Sequence, residues 1–155
     1  MPESVRTDAL TYTPQPGSVR LARRRAARLL SECGWEEEPV DDVALAVTEL
    51  ATNALRHVPG EEFRVALTYD DRHALVEVED GAPGRLPRIP RPADDACSGR
   101  GLLLVAGLSL AWGMEMSPYD RRKTVWSIIA RTGGSALPLA AATAVRALRS
   151  HATPA

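Results

Sequence analysis

Two stretches of alternating residues follow one another with no helix between them, and this one feature most limits the folds open to the chain. Phe63, Val65, Leu67 and Tyr69 alternate with polar or small residues, and Val76, Val78 and Asp80 share one face of the segment after Arg72-His73. A parallel pair needs a crossover of a dozen or more residues, and the gap here is far shorter, so the two segments read as an antiparallel hairpin.

Two helical periods precede the hairpin. Ser18 can cap a helix in which Val19, Ala22, Ala26, Leu29 and Cys33 recur at spacings of three and four, with Arg20, Arg23, Arg24 and Arg28 on its other faces and Gly34 at its end. Asp41 or Asp42 then caps a second helix, with Val43, Val47, Leu50 and Ala54 as its core stripe and a close near His57-Val58-Pro59-Gly60. After the hairpin, Gly81 to Ser98 shows no apolar period and contains Pro83, Pro87, Pro90 and Pro92. A loop this long in a small domain is usually functional, often a lid. Gly99-Arg100-Gly101 leads into a short helix, Leu102 to Ser109, followed by strands Ala111 to Ser117 and Arg122 to Arg131, while Ala9 to Thr13 adds an edge strand. The order predicts an α/β (α+β) two-layer sandwich: a mixed, mostly antiparallel sheet with helices on one face. Residues 1–131 form the domain. Residues 132–155 read as an Ala-rich tail, a frayed helix or a flexible segment.

Composition narrows the function classes. The length of 155 residues suits one domain. Nineteen Lys+Arg against twenty Asp+Glu leave a formal charge of −1, so no global field draws the chain to nucleic acid or anionic lipid. Two cysteines, Cys33 and Cys97, are too few for a disulfide framework or a zinc site, which suggests reducing cytosol. The start of the chain lacks the pattern of a signal peptide, and the longest uncharged apolar run, Leu102 to Met114, falls short of the roughly 20 residues a membrane helix needs. The expectation is a cytoplasmic protein with no membrane contact. A Walker loop, the lysine and H-R-D motifs of eukaryotic-type kinases, a G-x-S-x-G elbow and H-E-x-x-H are all missing from the sequence.

Three polar features remain. Glu49 and Asn53, at i and i+4, lie on one helix face with Cβ atoms roughly 6 Å apart, at the margin of the apolar stripe. A carboxylate and a carboxamide there are either part of a solvated face or the edge of a groove able to hold Mg²⁺ and a water or hydroxyl. Asp80 falls in phase with Val76 and Val78, which turns it inward, whereas Glu77 and Glu79 point the other way. An inward carboxylate serves either a buried hydrogen-bond network or a ligand donor such as an exocyclic amine. Gly81 and Gly84 beside it let the backbone approach a flat ring. Ser98-Gly99-Arg100-Gly101 ahead of the Leu102 helix offers free amides, small residues and one arginine to an anion.

In this order and spacing the three features resemble the boxes of the GHKL (Bergerat-fold) ATP-binding superfamily, and within it the anti-sigma-factor serine kinases. The likeness spans Ser18 to Arg131: Glu49-Leu50-Ala51-Thr52-Asn53-Ala54 resembles the N box, Asp80-Gly81-Ala82-Pro83-Gly84 the first glycine box, and Gly99-Arg100-Gly101-Leu102 the second. Lys123-Thr124-Val125-Trp126 is similar to the closing strand, whose threonine lies near the adenine. The resemblance implies that Asn53 ligates Mg²⁺ held by ATP, Asp80 accepts a hydrogen bond from the adenine amino group with Thr124 supporting it, and Gly99, Arg100 and Gly101 contact phosphates beneath the lid. It implies Glu49 as the base for an incoming serine or threonine hydroxyl. Ala82 departs from the family's D-x-G-x-G, and a methyl group there would crowd the adenine or restrict a positive φ.

Two functions follow from the resemblance. One is a protein serine/threonine kinase that phosphorylates an anti-anti-sigma-type partner and sequesters a sigma factor. The other is a catalytically weak or inactive module whose protein interface is gated by nucleotide. In the family the early helices help form a homodimer or the partner interface, so the arginines of the first helix are assigned there. Lys123 is the sole lysine, which leaves phosphate binding to Arg100, backbone amides and Mg²⁺.

Overall fold

The computed structural model describes residues 4–80, 96–117 and 122–132, the side chains of 96–100 excepted. Five strands, β1 (Arg6–Tyr12), β2 (Phe63–Tyr69), β3 (His73–Asp80), β4 (Ala111–Met116) and β5 (Lys123–Ala130), form one sheet in the order β1-β2-β3-β5-β4. Every pairing among them is antiparallel, so the sheet is uniform where the sequence left room for a mixed one. The β2–β3 hairpin forms as expected: the Asp70 carboxylate accepts from the backbone N–H of Arg72 and His73, which holds the turn.

Among the described residues three helices, α1 (Pro16–Glu32), α2 (Glu37–His57) and α3 (Ala96–Leu108), accompany the sheet. Their caps differ from the sequence reading. α1 starts two residues before Ser18, with Gln15 at the N-cap and Pro16 in the first turn, where its missing N–H has no partner to lose. Ser18 is buried instead, its Oγ 3.1 Å from Thr13 Oγ. α2 starts at Glu37, not at Asp41 or Asp42; Glu37 and Glu38 place negative charge at the positive end of the helix dipole, and Pro39 is tolerated in the first turn. α1 ends as expected at Gly34, with φ of 84° and a Schellman closure in which the N–H groups of Gly34 and Trp35 donate to Ser31 and Leu30 carbonyls.

One face of the sheet carries the main core. Val65, Leu67, Val76, Val78, Val125 and Ile129 meet Val43, Val47, Leu50 and Ala54 of α2, while Ala22, Ala26 and Leu30 join α1 to α2. Leu30, and not Leu29, is the fully buried end of the α1 stripe. A bidentate ion pair, Arg25 Nε and Nη2 to Asp8 at 2.8 and 2.6 Å, ties α1 to edge strand β1. Among the described residues no helix is long and apolar enough to cross a membrane.

Candidate functional site

The antiparallel register lines up one row of residues across the end of the sheet. Tyr12 pairs with Phe63, Phe63 with Asp80, and Lys123 with Met116. Asp80 follows Glu79, which pairs with Thr124, so the next rung sets Asp80 beside Lys123. Directly paired residues present side chains to the same face. Phe63 and Val125 belong to the core beneath the helices, so the whole row, from Tyr12 to Met116, faces the helical layer. Tyr12 and Phe63 stack with ring centroids 5.6 Å apart. Burial pushes the Tyr12 hydroxyl above its ordinary pKa, against a smaller opposing pull from Arg25.

Chain connectivity brings the two helical features to this end. α2 runs out at His57 and the chain enters β2 at Phe63 after five residues, so the carboxyl-terminal half of α2 lies near the row. α3 closes at the opposite end, where the Leu110 N–H donates to the Ile128 carbonyl and Ser109 Oγ lies 2.6 Å from Ser127 Oγ. Its thirteen residues span roughly 20 Å. That length carries its amino end back toward Lys123, antiparallel to α2.

Asn53 is 9% exposed, and its Oδ1 accepts no hydrogen bond among the described residues. A buried carbonyl oxygen without a donor is costly, so the position asks for a ligand. A hard cation such as Mg²⁺, which takes oxygen donors and retains waters, fits that oxygen. One turn earlier, Glu49 is half-buried and turned toward α3. A Cβ placed on Gly101 would lie 2.5 Å from Glu49 Oε2 and 3.5 Å from Glu49 Cδ. Gly101 therefore makes room for the carboxylate by lacking a side chain.

Asp80 is 6% exposed, as its phase in the sequence predicts, and its Oδ2 lies 3.4 Å from Lys123 Nζ. Thr124 is not its support. It pairs with Glu79 on the other side of the sheet, because the side chains of adjacent strand residues point to opposite faces. Lys123, in phase with Val125, Ser127 and Ile129, takes the inward place. Sequence reasoning missed Lys123. The signal was the same alternation that located Asp80, but it needed the β3–β5 register, and two strands with a helix and another strand between them do not reveal that register.

The second glycine box also sits differently. Gly99, Arg100 and Gly101 lie inside α3, which starts at Ala96 and not at Leu102; glycines normally weaken a helix, and here Gly101 leaves room for the close approach of the Glu49 carboxylate. The free amides at the helix start therefore belong to the residues from Ala96 on. Leu102 is half-buried against the core. Gly81, Gly84, Ala82, the expected lid up to residue 95 and the tail beyond residue 132 lie outside the described residues.

A family model described as histidine kinase-like ATPase domain matches residues 12–126, a span that opens at Tyr12 and encloses the whole row, Glu49, Asn53 and Gly101. No curated protein matches the chain.

Proposed function

This chain belongs to the histidine kinase-like ATPase domain family, and from that premise we propose that it binds Mg-ATP and transfers the terminal phosphate to a serine or threonine of a small anti-anti-sigma-type partner. When that partner is absent, the chain sequesters a sigma factor. Membership implies an ATP site. The single observation that carries the reading further is the buried Asn53 Oδ1, which has no donor among the described residues, on the helix that also presents Glu49.

Asn53 would hold Mg²⁺, which neutralises charge on the phosphates when bound. The chain's own groups divide the remaining work. Asp80 accepts the hydrogen bond of an exocyclic amine at the base, and the amides at the start of α3 face the anionic end of the ligand. Glu49, half-buried on α2, orients the incoming hydroxyl and takes its proton. Phosphoryl transfer asks chiefly for positioning and charge stabilisation, so one base near the nucleophile suffices. The basic surface of α1, with Arg20, Arg23, Arg24 and Arg28 exposed, is the surface we assign to a protein partner or a second copy of the chain.

Transfer of labelled phosphate from ATP to the partner tests the proposal. Wild type should transfer, and Glu49→Gln should stop transfer while retaining ATP affinity. Wild type that binds ATP without transferring phosphate is instead the nucleotide-gated binding module.

A further inference from the structure

We infer that Lys123 is the second recognition residue of the base site, donating to a ring nitrogen beside the amino group that Asp80 accepts; the inference rests on the nucleotide reading above. Lys123 is 9% exposed although it is a lysine, and among the described residues its ammonium has one partner, Asp80, at 3.4 Å. That separation is beyond the usual range for a charged N–H···O bond, and an ammonium carries three donors. A buried ammonium with one loose contact among the described residues has donors to offer a ligand that enters the site. Every other base in the chain is arginine or histidine, so this position holds the one compact, flexible cation available.

The neighbours in the row define the ligand edge. Phe63 and the stacked Tyr12 lie beside Asp80, and Met116 lies beside Lys123. A carboxylate acceptor and an ammonium donor side by side, with the Tyr12 ring and the Met116 thioether toward the two ends of the row, match the edge of a flat heterocycle where an amino group adjoins a ring nitrogen. In 6-aminopurines the nitrogen on one side is N1 and on the other N7. Lys123 thereby does what Thr124, on the far face of the sheet, is not placed to do.

Binding constants for ATP, 1-deaza-ATP, 7-deaza-ATP and purine riboside triphosphate, measured on wild type and Lys123→Met, test the inference. Wild type should bind one of the two deaza analogues about 10- to 100-fold more weakly than ATP, the range of a charged hydrogen bond. Lys123→Met should bind ATP and that analogue alike, while both proteins still bind the purine riboside analogue, which lacks the amino group, more weakly than ATP. If wild type binds ATP and both deaza analogues equally, or if Lys123→Met keeps the discrimination, the inference is overturned and the nucleotide reading survives. If wild type binds no ATP, both fall. Because a buried ion pair stripped of one partner can unfold a domain, a second measurement uses unmutated protein grown with ¹³C-lysine, whose single lysine gives one set of side-chain signals. ATP should shift the Lys123 Cε signal and the disfavoured deaza analogue should not; equal shifts overturn the inference.

Discussion

Gly101→Ala separates the geometry of Glu49 from the stability of the fold. The new Cβ would stand 2.5 Å from Glu49 Oε2, whereas ordinary contact begins at 3.4 Å, so the carboxylate must retreat by about 0.9 Å (3.4 − 2.5). It is the free end of a flexible side chain, and an off-rotamer adjustment costs about 0.5–1.5 kcal/mol. Alanine in place of glycine inside a helix returns about 1 kcal/mol. The two nearly cancel, so melting should move by no more than about 4 °C. A misplacement near 1 Å at a reacting group costs about 100-fold in rate. Phosphate transfer from saturating Mg-ATP to the partner should therefore fall by about that factor. In a Glu49→Gln background the same change should add little further loss. Transfer within about twofold of wild type would refute the placement of Glu49 against α3, as would a melting loss of about 10 °C or more, which would mean that the backbone and not the carboxylate gives way.

Gly34→Ala tests the closure of α1: the added methyl meets nothing within 4 Å, so only the backbone φ of 84° is penalised, and denaturant unfolding should report a loss of about 1–2 kcal/mol. Burial, reinforced by Glu38 and Asp41, holds the Asp42 carboxyl above its ordinary pKa. A raised carboxylate pKa means that ionisation opposes folding; the cost is absent below the unfolded-state value and grows as pH rises through the folded one. Asp42→Asn should therefore raise the melting temperature at pH 7 and lose that advantage near pH 3, and a pH-independent gain would contradict the assignment. The reverse sign applies to Glu36, which its hydrogen bonds with Arg131 hold below the ordinary range. Arg131→Gln should lower melting at neutral pH and have less effect once pH falls through the carboxylate range.

Period alone made the layers legible. The alternation in β2 and β3 and the stripe Val43, Val47, Leu50 and Ala54 depend on which face meets the core, and burial follows that face closely. Asp80 was readable for the same reason, and Glu49 and Asn53 because helical spacing fixes i and i+4. Start points were less legible. Gln15 and Glu36 cap without side-chain hydrogen bonds, so the usual Ser and Asp signals at Ser18, Asp41 and Asp42 pointed too far along the chain. Gly101 reads as a loop residue because a glycine that leaves room for a neighbouring helix's side chain looks the same in sequence as one required by a turn. The exchange of Thr124 for Lys123 turned on a one-residue phase, which only the pairing of β3 with β5 reveals.

Nucleotide binding at the Asp80–Lys123 row and Asn53 underlies every functional role proposed for these residues. Ligand that binds only the folded chain stabilises it by about 2.7 kcal/mol at a hundredfold excess over its dissociation constant, worth about 5–11 °C in a chain of this length. A melting scan with saturating Mg-ATP should raise wild type by that amount, and Asn53→Ala and Asp80→Asn, folded in its absence, should show little or no rise. Wild-type melting unmoved by millimolar Mg-ATP, or raised equally in all three proteins, would contradict the central claim.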